Sequence, residues 1–327
     1  MIYDVIGDIH GHANKLIGLL DKLGYHLTKH ETLGITYYQP PAGHRAIFIG
    51  DLIDRGTQEL ETLNIVYSML DAGVADAIMG NHEYNALAYA TIDKTASKQL
   101  TGSKDSIYLR RHSQTHTRQH QAFLDEVPFG SEAHQYWLKR FYELPLWLET
   151  EHACFIHACW DSDKMTVIKP FLTADNRLTQ EALQRSGQKN SEEYNAIERL
   201  LKGVEVALPD GASFTDKDGA VRHRVRVQWW LEQLQGKRIV DIARAPAWDM
   251  QQLPQDAIVD NLDFQLKTTK PVFIGHYWLT GTPQPLSSQV VCTDYSVAGK
   301  GYLTAYRFDS NNPYPLSADN FVQYIDP

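Results

Sequence analysis

The chain has 327 residues, of which 43% are hydrophobic, and is long enough to bury a large core. It exceeds the usual size of one domain without requiring two, so a single domain over residues 1–327 with a sizeable insertion fits best. Lys and Arg number 31 against 40 Asp and Glu, which gives a net charge of -9 at pH 7. This charge argues against a nucleic acid polymer as partner, and an anionic ligand would need local cations or metal ions.

The sequence carries no sign of export or of membrane insertion. Its first six residues enter a predicted strand directly, where a signal peptide would have a charged leader and an apolar segment. No apolar run approaches the roughly 20 residues that span a bilayer. We therefore expect a cytoplasmic protein with no membrane partner. The three cysteines, Cys154, Cys159 and Cys292, are expected to be reduced and buried.

Three strands alternating with two helices are predicted within the first ninety residues. Short apolar runs predict the strands, and apolar residues at helical spacing predict the helices. The alternating order implies parallel strands whose carboxyl ends meet at one edge of a sheet. The predicted strands cover residues 2–6, 46–49 and 74–79, and the helices cover residues 12–23 and 56–73.

Each of these strands runs into a group of polar residues. The first is followed by Gly7-Asp8-Ile9-His10-Gly11, the second by Gly50-Asp51-Leu52-Ile53-Asp54-Arg55-Gly56, and the third by Gly80-Asn81-His82-Glu83. Open α/β sheets bind ligands at the carboxyl ends of their strands. Three strand ends therefore deliver oxygen and nitrogen ligands to one place, which predicts a metal site.

Two later strands also end in histidine, at His157 and His276. Two divalent ions need more ligands than one motif supplies, and a shared carboxylate holds such ions roughly 3.5–4 Å apart. A ligand set without thiolate suits Mn, Fe, Zn, Co or Ni better than Ca or Mg, and we expect Mn first. His152 and His223 are the reserve candidates. The expected ligands are Asp8 and His10 for one ion, Asn81, His157 and His276 for the other, and Asp51 as the bridge.

The rest of the chain is predicted to contain two polar regions and several late strands. Residues 91–121 are predicted to form a polar flap, and residues 161–270 an inserted cap-like segment. The late strands suggest a second sheet packed on the first, and a Gly299-Lys300-Gly301 turn is expected to join the last two as a hairpin. These strands are predicted at residues 146–148, 153–156, 272–274, 289–293 and 302–308.

The three early motifs together resemble the signature of calcineurin-like metallophosphoesterases, most closely the phosphoprotein phosphatase branch and its bacterial relatives. The stretch from Cys292-Thr293-Asp294-Tyr295 to Tyr302-Leu303-Thr304-Ala305 is similar to that of bacterial diadenosine tetraphosphatases. The resemblance implies a four-layer αββα sandwich of two mixed β-sheets flanked by helices. It also implies a metal-dependent phosphohydrolase that acts on phosphomonoesters through two metal ions.

The resemblance further implies roles for residues beside the expected ligands. A hydroxide between the two ions would attack phosphorus, and His82 would protonate the leaving oxygen. Asp54 would orient the ring of His82. Arg55 would clamp phosphate oxygens with its planar guanidinium. The family's second phosphate-binding arginine is expected to be Arg224 or Arg226, which alternate along a predicted half-buried strand over residues 221–227.

The polar flap has a cluster of cationic side chains. Its three histidines are four residues apart and would share one helix face. Such a face can hold a metal ion, but we favour a solvated helix or flap beside the active site, with arginines available to substrate phosphate. The cluster consists of Arg110, Arg111, His112, His116, Arg118 and His120.

Three functions remain open on the sequence alone. The first is a phosphatase for phosphorylated proteins (Ser/Thr or Tyr) or small phosphorylated molecules. The second is hydrolysis of a diadenosine polyphosphate or another nucleotide anhydride. The third is a phosphate-binding module without catalysis. Ala158-Cys159-Trp160 and Tyr277-Trp278-Leu279 depart from the phosphoprotein phosphatases, and we expect these bulky aromatic residues to reshape the substrate groove.

Overall fold

The computed structural model describes residues 1–96, 107–209, 211–215, 219, 221–260, 262 and 264–325, without the side chains of residues 247 and 248. The described strands are β1 (Ile2–Ile6), β2 (His26–Lys29), β3 (Thr36–Gln39), β4 (His44–Phe48), β5 (Ala75–Ala77), β6 (Trp147–Glu149), β7 (Cys154–Ile156), β8 (Glu205–Ala207), β9 (Phe214–Thr215), β10 (Val221–Arg222), β11 (Arg224–Arg226), β12 (Val272–Ile274), β13 (Val290–Cys292), β14 (Leu303–Asp309) and β15 (Phe321–Tyr324).

The described α-helices are α1 (Ala13–Leu23), α2 (Glu59–Asp71), α3 (Asn81–Ala90), α4 (Gln114–Glu126), α5 (Glu132–Phe141), α6 (Ser162–Ile168), α7 (Gln180–Ser186), α8 (Glu192–Lys202), α9 (Ile239–Ile242) and α10 (Ala247–Met250). Short 3-10 helices cover Lys169–Phe171 and Ala318–Asn320. None of the helices in the described part of the chain is long and apolar enough to cross a membrane.

Two mixed sheets form the centre of the molecule. The first has the strand order β15-β14-β1-β4-β5, and the second has the order β13-β12-β7-β6. Strands β1, β4 and β5 pair in parallel, as the alternating order of strands and helices predicted. Strands β14 and β15 extend the first sheet in antiparallel pairing. The carboxyl ends of β1, β4 and β5 therefore lie at one edge.

The predicted hairpin near the end of the chain is wrong. β13 belongs to the second sheet, whereas β14 pairs with β1 in the first sheet. Both strands are buried on nearly every residue, so neither has the solvated face that an isolated hairpin would leave exposed. The segment around Gly301 consequently crosses from one sheet to the other.

The two sheets pack face to face through aromatic and β-branched side chains. Tyr3 of the first sheet lies 5.8 Å from Phe155 of the second, measured between ring centroids. Phe273 lies 5.6 Å from Tyr306 and 5.0 Å from Phe308. On the outer face of the first sheet, α1 packs against β14 and β15 with its leucine stripe buried. The predicted sandwich of two mixed sheets flanked by helices is confirmed.

The region between the two late histidines is mostly helical at its start and forms small sheets later. α6 and α8 pack against each other. The predicted strand over residues 221–227 is divided, because β10 pairs with β9 while β11 pairs with β8. In β11, Val225 is buried and Arg224 is exposed. Within the predicted flap, residues 97–106 lie outside the described part of the chain.

A buried carboxylate ties the loop after β4 to the start of α3. Glu83, which is fully buried, accepts backbone N–H groups of Asp51 at 3.0 Å, Leu52 at 2.8 Å and Ile53 at 3.3 Å. It also accepts the N–H of Gly80 at 2.9 Å. These donors belong to segments that leave regular sheet pairing, and buried N–H groups need such partners. Glu83 therefore fixes two of the predicted ligand segments relative to each other.

We expect Glu83→Gln to lower the free energy of unfolding by about 2–4 kcal/mol, because the amide keeps one acceptor and turns an N–H group toward the other donors. Urea unfolding of the metal-free protein measures this change. Glu151, whose side chain is 88% exposed, provides the matched control, and Glu151→Gln should change stability by less than about 0.5 kcal/mol. Equal unfolding midpoints for the two variants would contradict the assigned role of Glu83.

Candidate active site

The six expected ligands come together at the sheet edge. They follow β1, β4, β7 and β12 or begin α3, and each is between 0% and 8% exposed. Asn81 and His82 lie in the first turn of α3. The reserve candidates His152 and His223 are not part of the cluster and have exposed side chains. The buried residues at this edge are Asp8, His10, Asp51, Asn81, His157 and His276.

One group of metal-ligand atoms comes from His10, Asp51 and His82, and these atoms lie within 4.8 Å of one another. His10 Nε2 is 3.7 Å from Asp51 Oδ2. His10 Nδ1 is 3.0 Å from the carbonyl oxygen of Ile53, a contact that places the ring proton on Nδ1 and leaves the lone pair on Nε2. Burial and the neighbouring His82 lower the pKa of His10 to about 3, so this imidazole is neutral as a ligand must be.

A second group consists of Asp51, His157 and His276 and shares Asp51 with the first. His157 Nε2 is 3.4 Å from Asp51 Oδ1 and 3.2 Å from Asn81 Oδ1. His157 Nδ1 is 2.7 Å from the carbonyl oxygen of Ile49, which again directs Nε2 into the cluster. The two oxygens of one carboxylate therefore face two different histidines.

The electrostatics of the cluster call for positive charge. Burial alone would lower the pKa of His157, but the charges of Asp51 and Asp8 outweigh it and raise this pKa to about 10. Burial, Asp294 and Asp51 raise the pKa of Asp8 well above its usual range. In the metal-free protein an imidazolium thus balances the carboxylates, and a bound divalent cation would displace its proton.

Unpartnered atoms in the cluster also fit metal ions. Asp8 Oδ2 accepts the N–H of His276 at 3.0 Å, whereas Asp8 Oδ1 is buried and has no partner among the described residues. The same holds for His276 Nε2. Buried polar atoms of this kind are normally satisfied, and carboxylate and imidazole atoms are metal ligands. The donor set therefore suits divalent ions of the Mn, Fe or Zn type.

His82 and Asp54 form a buried pair beside the cluster. His82 Nδ1 is 2.6 Å from Asp54 Oδ2, and the backbone N–H of His82 donates to Asp51 Oδ1 at 2.9 Å. Burial lowers the pKa of His82, but Asp51 and Asp54 outweigh burial and raise it. Burial raises the pKa of Asp54, yet the charges of His120 and His82 bring it to about 2. Asp54 is therefore ionised and favours the protonated form of His82.

The sequence missed one member of this arrangement, His120. Its Nδ1 is 2.8 Å from Asp54 Oδ1, and the residue is 4% exposed, so the expectation of a solvated helix is wrong at this position. The available signal was the spacing of two buried apolar residues, Phe123 on α4 and Val127 just after it, which follow His120 by three and seven positions. His112 instead stacks between two tyrosine rings. Within the described residues, the flap histidines form no metal-binding group.

A cleft of about 780 Å³ opens beside the pair. Arg55, Arg224 and Arg226 all line it, as do residues of the flap and of the 161–270 segment. Arg224 donates to the backbone carbonyl of Glu205 at 2.8 Å, and the Arg226 guanidinium lies 5.7 Å from the centre of the Trp278 ring. Among the described residues, nine Lys and Arg but only four carboxylates line the cleft. Its walls are therefore cationic in an acidic protein.

Of the aromatic residues that were expected to reshape the groove, Trp278 alone reaches the cleft among the described residues. It is 43% exposed, whereas Trp160 and Tyr277 are buried. Trp278 has a positive φ of 46°, which is unfavourable for a bulky residue. Two hydrogen bonds hold its backbone: its N–H donates to Asp294 at 2.7 Å, and its carbonyl accepts from Arg244 at 2.9 Å.

Comparison with known proteins gives a family and several partial relatives. Residues 1–162 match the model of the calcineurin-like phosphoesterase family. An 82-residue stretch is 42% identical to the bis(5'-nucleosyl)-tetraphosphatase PrpE [asymmetrical] of Geobacillus sp. and 39% identical to that of Halalkalibacterium halodurans. The stretch covers 25% of this chain and 31% of each relative, so the match spans about a third of their length.

Among solved structures, the cold-active protein-tyrosine phosphatase of a psychrophilic Shewanella species is similar, at 16% identity and a TM-score of 0.45. The alignment covers 99% of this chain and 80% of that one. The family match includes all three early motifs and the histidine that follows β7. Through residues 1–162, the chain belongs to the calcineurin-like phosphoesterase family.

Proposed function

We propose that this protein is a metal-dependent phosphohydrolase that cleaves phosphomonoesters of phosphorylated proteins or small molecules. The observation that carries the proposal is the buried carboxylate of Asp51, shared by two groups of ligand atoms and adjoining the His82–Asp54 pair. Family membership supports the same reaction class. A donor set of oxygen and imidazole atoms without thiolate suits Mn, Fe, Zn, Co or Ni, and we propose Mn as the first candidate among them.

We assign Asp8, His10, Asp51, Asn81, His157 and His276 as the residues that hold two divalent ions. When bound, such ions supply Lewis-acid polarisation of the phosphoryl oxygens and activation of water at neutral pH. The chain itself orients the ligands. Backbone carbonyls fix His10 and His157, and Glu83 fixes the loop that carries Asp51.

His82 is the proposed general acid. Because Nδ1 donates to Asp54, the second proton of the imidazolium is on Nε2, and His82 lines the cleft. This proton can pass to the oxygen of the leaving group as the bond to phosphorus breaks. Asp54 holds the ring and stabilises its charge.

We assign a positioning role to His120. Asp54 accepts one hydrogen bond on each oxygen, from His82 and from His120, so the carboxylate is fixed in rotation. His120 lies on α4, and Asp54 lies in the loop after β4. The bond therefore connects the flap to the proposed acid.

Arg55 and Arg226 are the proposed phosphate clamps. Arg55 is exposed to the cleft, and Arg226 is held near Trp278 by a cation–π contact. Arg224 is the weaker candidate for a phosphate ligand, because Glu205 is 3.8 Å from its Nε.

We further propose that residues 161–270 are a cap within a single catalytic domain, since they line much of the cleft wall.

The cationic cleft favours a second candidate, hydrolysis of a nucleotide anhydride such as a diadenosine polyphosphate. Nine Lys and Arg among the described lining residues exceed what one phosphate group requires. The 82-residue match to relatives named tetraphosphatases supports this reading.

A substrate panel with the Mn-loaded protein tests the proposal. Phosphopeptides, p-nitrophenyl phosphate and diadenosine tetraphosphate are assayed side by side. Turnover of the monoesters supports the leading function. Turnover of the anhydride alone would overturn it in favour of the second candidate, and no turnover at all would indicate a phosphate-binding module without catalysis.

We expect His82→Asn to lower kcat by about 10² to 10⁴, the usual contribution of a general acid. Metal content, measured by plasma mass spectrometry, should remain that of the wild type. Loss of metal together with activity would mean that His82 is a metal ligand. Its side chain is close enough to those of His10 and Asp51 for that role.

His120→Leu should lower kcat by about 10- to 100-fold with little change in KM, which corresponds to the loss of one charged hydrogen bond. Without His120 the pKa of Asp54 rises, so the acidic limb of the kcat profile should move to higher pH. His120→Asn, which keeps a donor near the position of Nδ1, should recover most of the rate. An unmoved acidic limb in His120→Leu would contradict the positioning role.

A further inference from the structure

Arg110 occupies an unusual position in the flap wall of the cleft. Its guanidinium donates to Asn85 Oδ1 at 3.2 Å and to Gln119 Oε1 at 2.8 Å, and both acceptors are neutral amides. Within the described residues, Arg110 makes no salt bridge to a carboxylate. Elsewhere, Arg45 and Arg140 contact aspartates directly. Arg110 is therefore held in a fixed orientation without a direct ion pair. Burial lowers its pKa, and the charges of Asp54 and Glu198 only partly offset that effect.

Other cations face the same part of the cleft. Burial lowers the pKa of His116, and the charges of Arg110, Lys189 and Lys202 lower it further. All four residues line the cleft. Lys202 is neutralised by an ion pair with Glu198, whereas Lys189 is exposed. The flap wall is thus positive around Arg110, and positive walls around one cleft concentrate anions.

The anchors of Arg110 locate it relative to the proposed acid. Asn85 follows His82 by three residues in α3, so the two side chains lie on neighbouring turns of one helix face. Gln119 directly precedes His120 in α4. The same two helices therefore carry Arg110's acceptors and the Asp54-bound histidines. Arg110 is also close enough to the proposed acid pair for the charge of Asp54 to raise the pKa of its guanidinium, against the lowering by burial.

We propose that Arg110, assisted by Lys189, forms a second anion subsite that binds a phosphate group carried by the leaving group. This inference rests on the second candidate function, hydrolysis of a nucleotide anhydride, and adds a separate position to Arg55 and Arg226. The ligand is a phosphate chain, as in a phosphoanhydride, whose second phosphate meets the planar guanidinium through two N–H groups. A substrate with one phosphate and a neutral leaving group would leave this subsite unused.

Titration calorimetry on the metal-free protein measures the subsite without the metal site. Tripolyphosphate and orthophosphate are the probes, each at the same ionic strength. The wild type should bind tripolyphosphate at least about tenfold more tightly than orthophosphate. Arg110→Gln should weaken tripolyphosphate binding by about 10- to 100-fold, the range for charged hydrogen bonds. Arg110→Lys keeps the charge but loses the planar guanidinium with its paired N–H groups. Its affinity for tripolyphosphate should lie between those of the wild type and Arg110→Gln.

Arg177→Gln is the matched control. It removes the same charge from an exposed ion pair with Asp175 that does not line the cleft, and it should bind both probes as the wild type does. Lys189→Gln provides a second test of the subsite in case the Arg110 variants misfold. Because Lys189 is exposed, this variant should fold normally, and it should weaken tripolyphosphate binding by about threefold. The proposal is overturned if the wild type does not prefer tripolyphosphate, or if Arg110→Gln behaves as Arg177→Gln.

The substrate panel separates this proposal from the proposed function. Normal hydrolysis of p-nitrophenyl phosphate with no preference for tripolyphosphate would refute the subsite alone. Preferential, Arg110-dependent binding in a protein that hydrolyses nothing would support the subsite as an anion site and refute the enzymatic function.

Discussion

The structure depends on a single buried carboxylate, Asp51, that two groups of ligand atoms share. Its two oxygens face His10 on one side and His157 on the other, and it is 2% exposed. A buried carboxylate is costly without a compensating cation. In the metal-free protein, protonated histidines provide that compensation and lower its pKa well below the usual range. Glu83 in turn holds the backbone of Asp51, so local folding and the charge of the site are coupled.

This arrangement explains why residues that the sequence singled out in separate motifs lie together in the structure. Asp8, Asp51 and Asn81 follow three parallel strands or begin the next helix, and the carboxyl ends of parallel strands meet at one edge. Short-range signals therefore imply long-range proximity. The sheet order and the face-to-face packing follow the same logic. The late histidines, His157 and His276, were found because each also ends a buried strand.

Side-chain contacts between segments that are not linked by parallel strand ends were not predicted. His120 contacts Asp54 across 66 residues of sequence, and its surroundings on α4 are polar enough to suggest solvent. Arg110 depends on amides from two helices. The segment between β13 and β14 was predicted to form a hairpin, because a glycine-rich turn is compatible with a hairpin and with a crossing between sheets. Only the burial of both faces of these strands distinguishes the two alternatives.

Anomalous diffraction at the manganese edge, on crystals soaked in Mn, tests the central claim most directly. We predict two anomalous peaks roughly 3.5–4 Å apart, with Asp51 between them, Asp8 and His10 at one peak, and Asn81, His157 and His276 at the other. Ordered crystals with no peak beside Asp51, or with a single peak that does not contact it, would contradict the account.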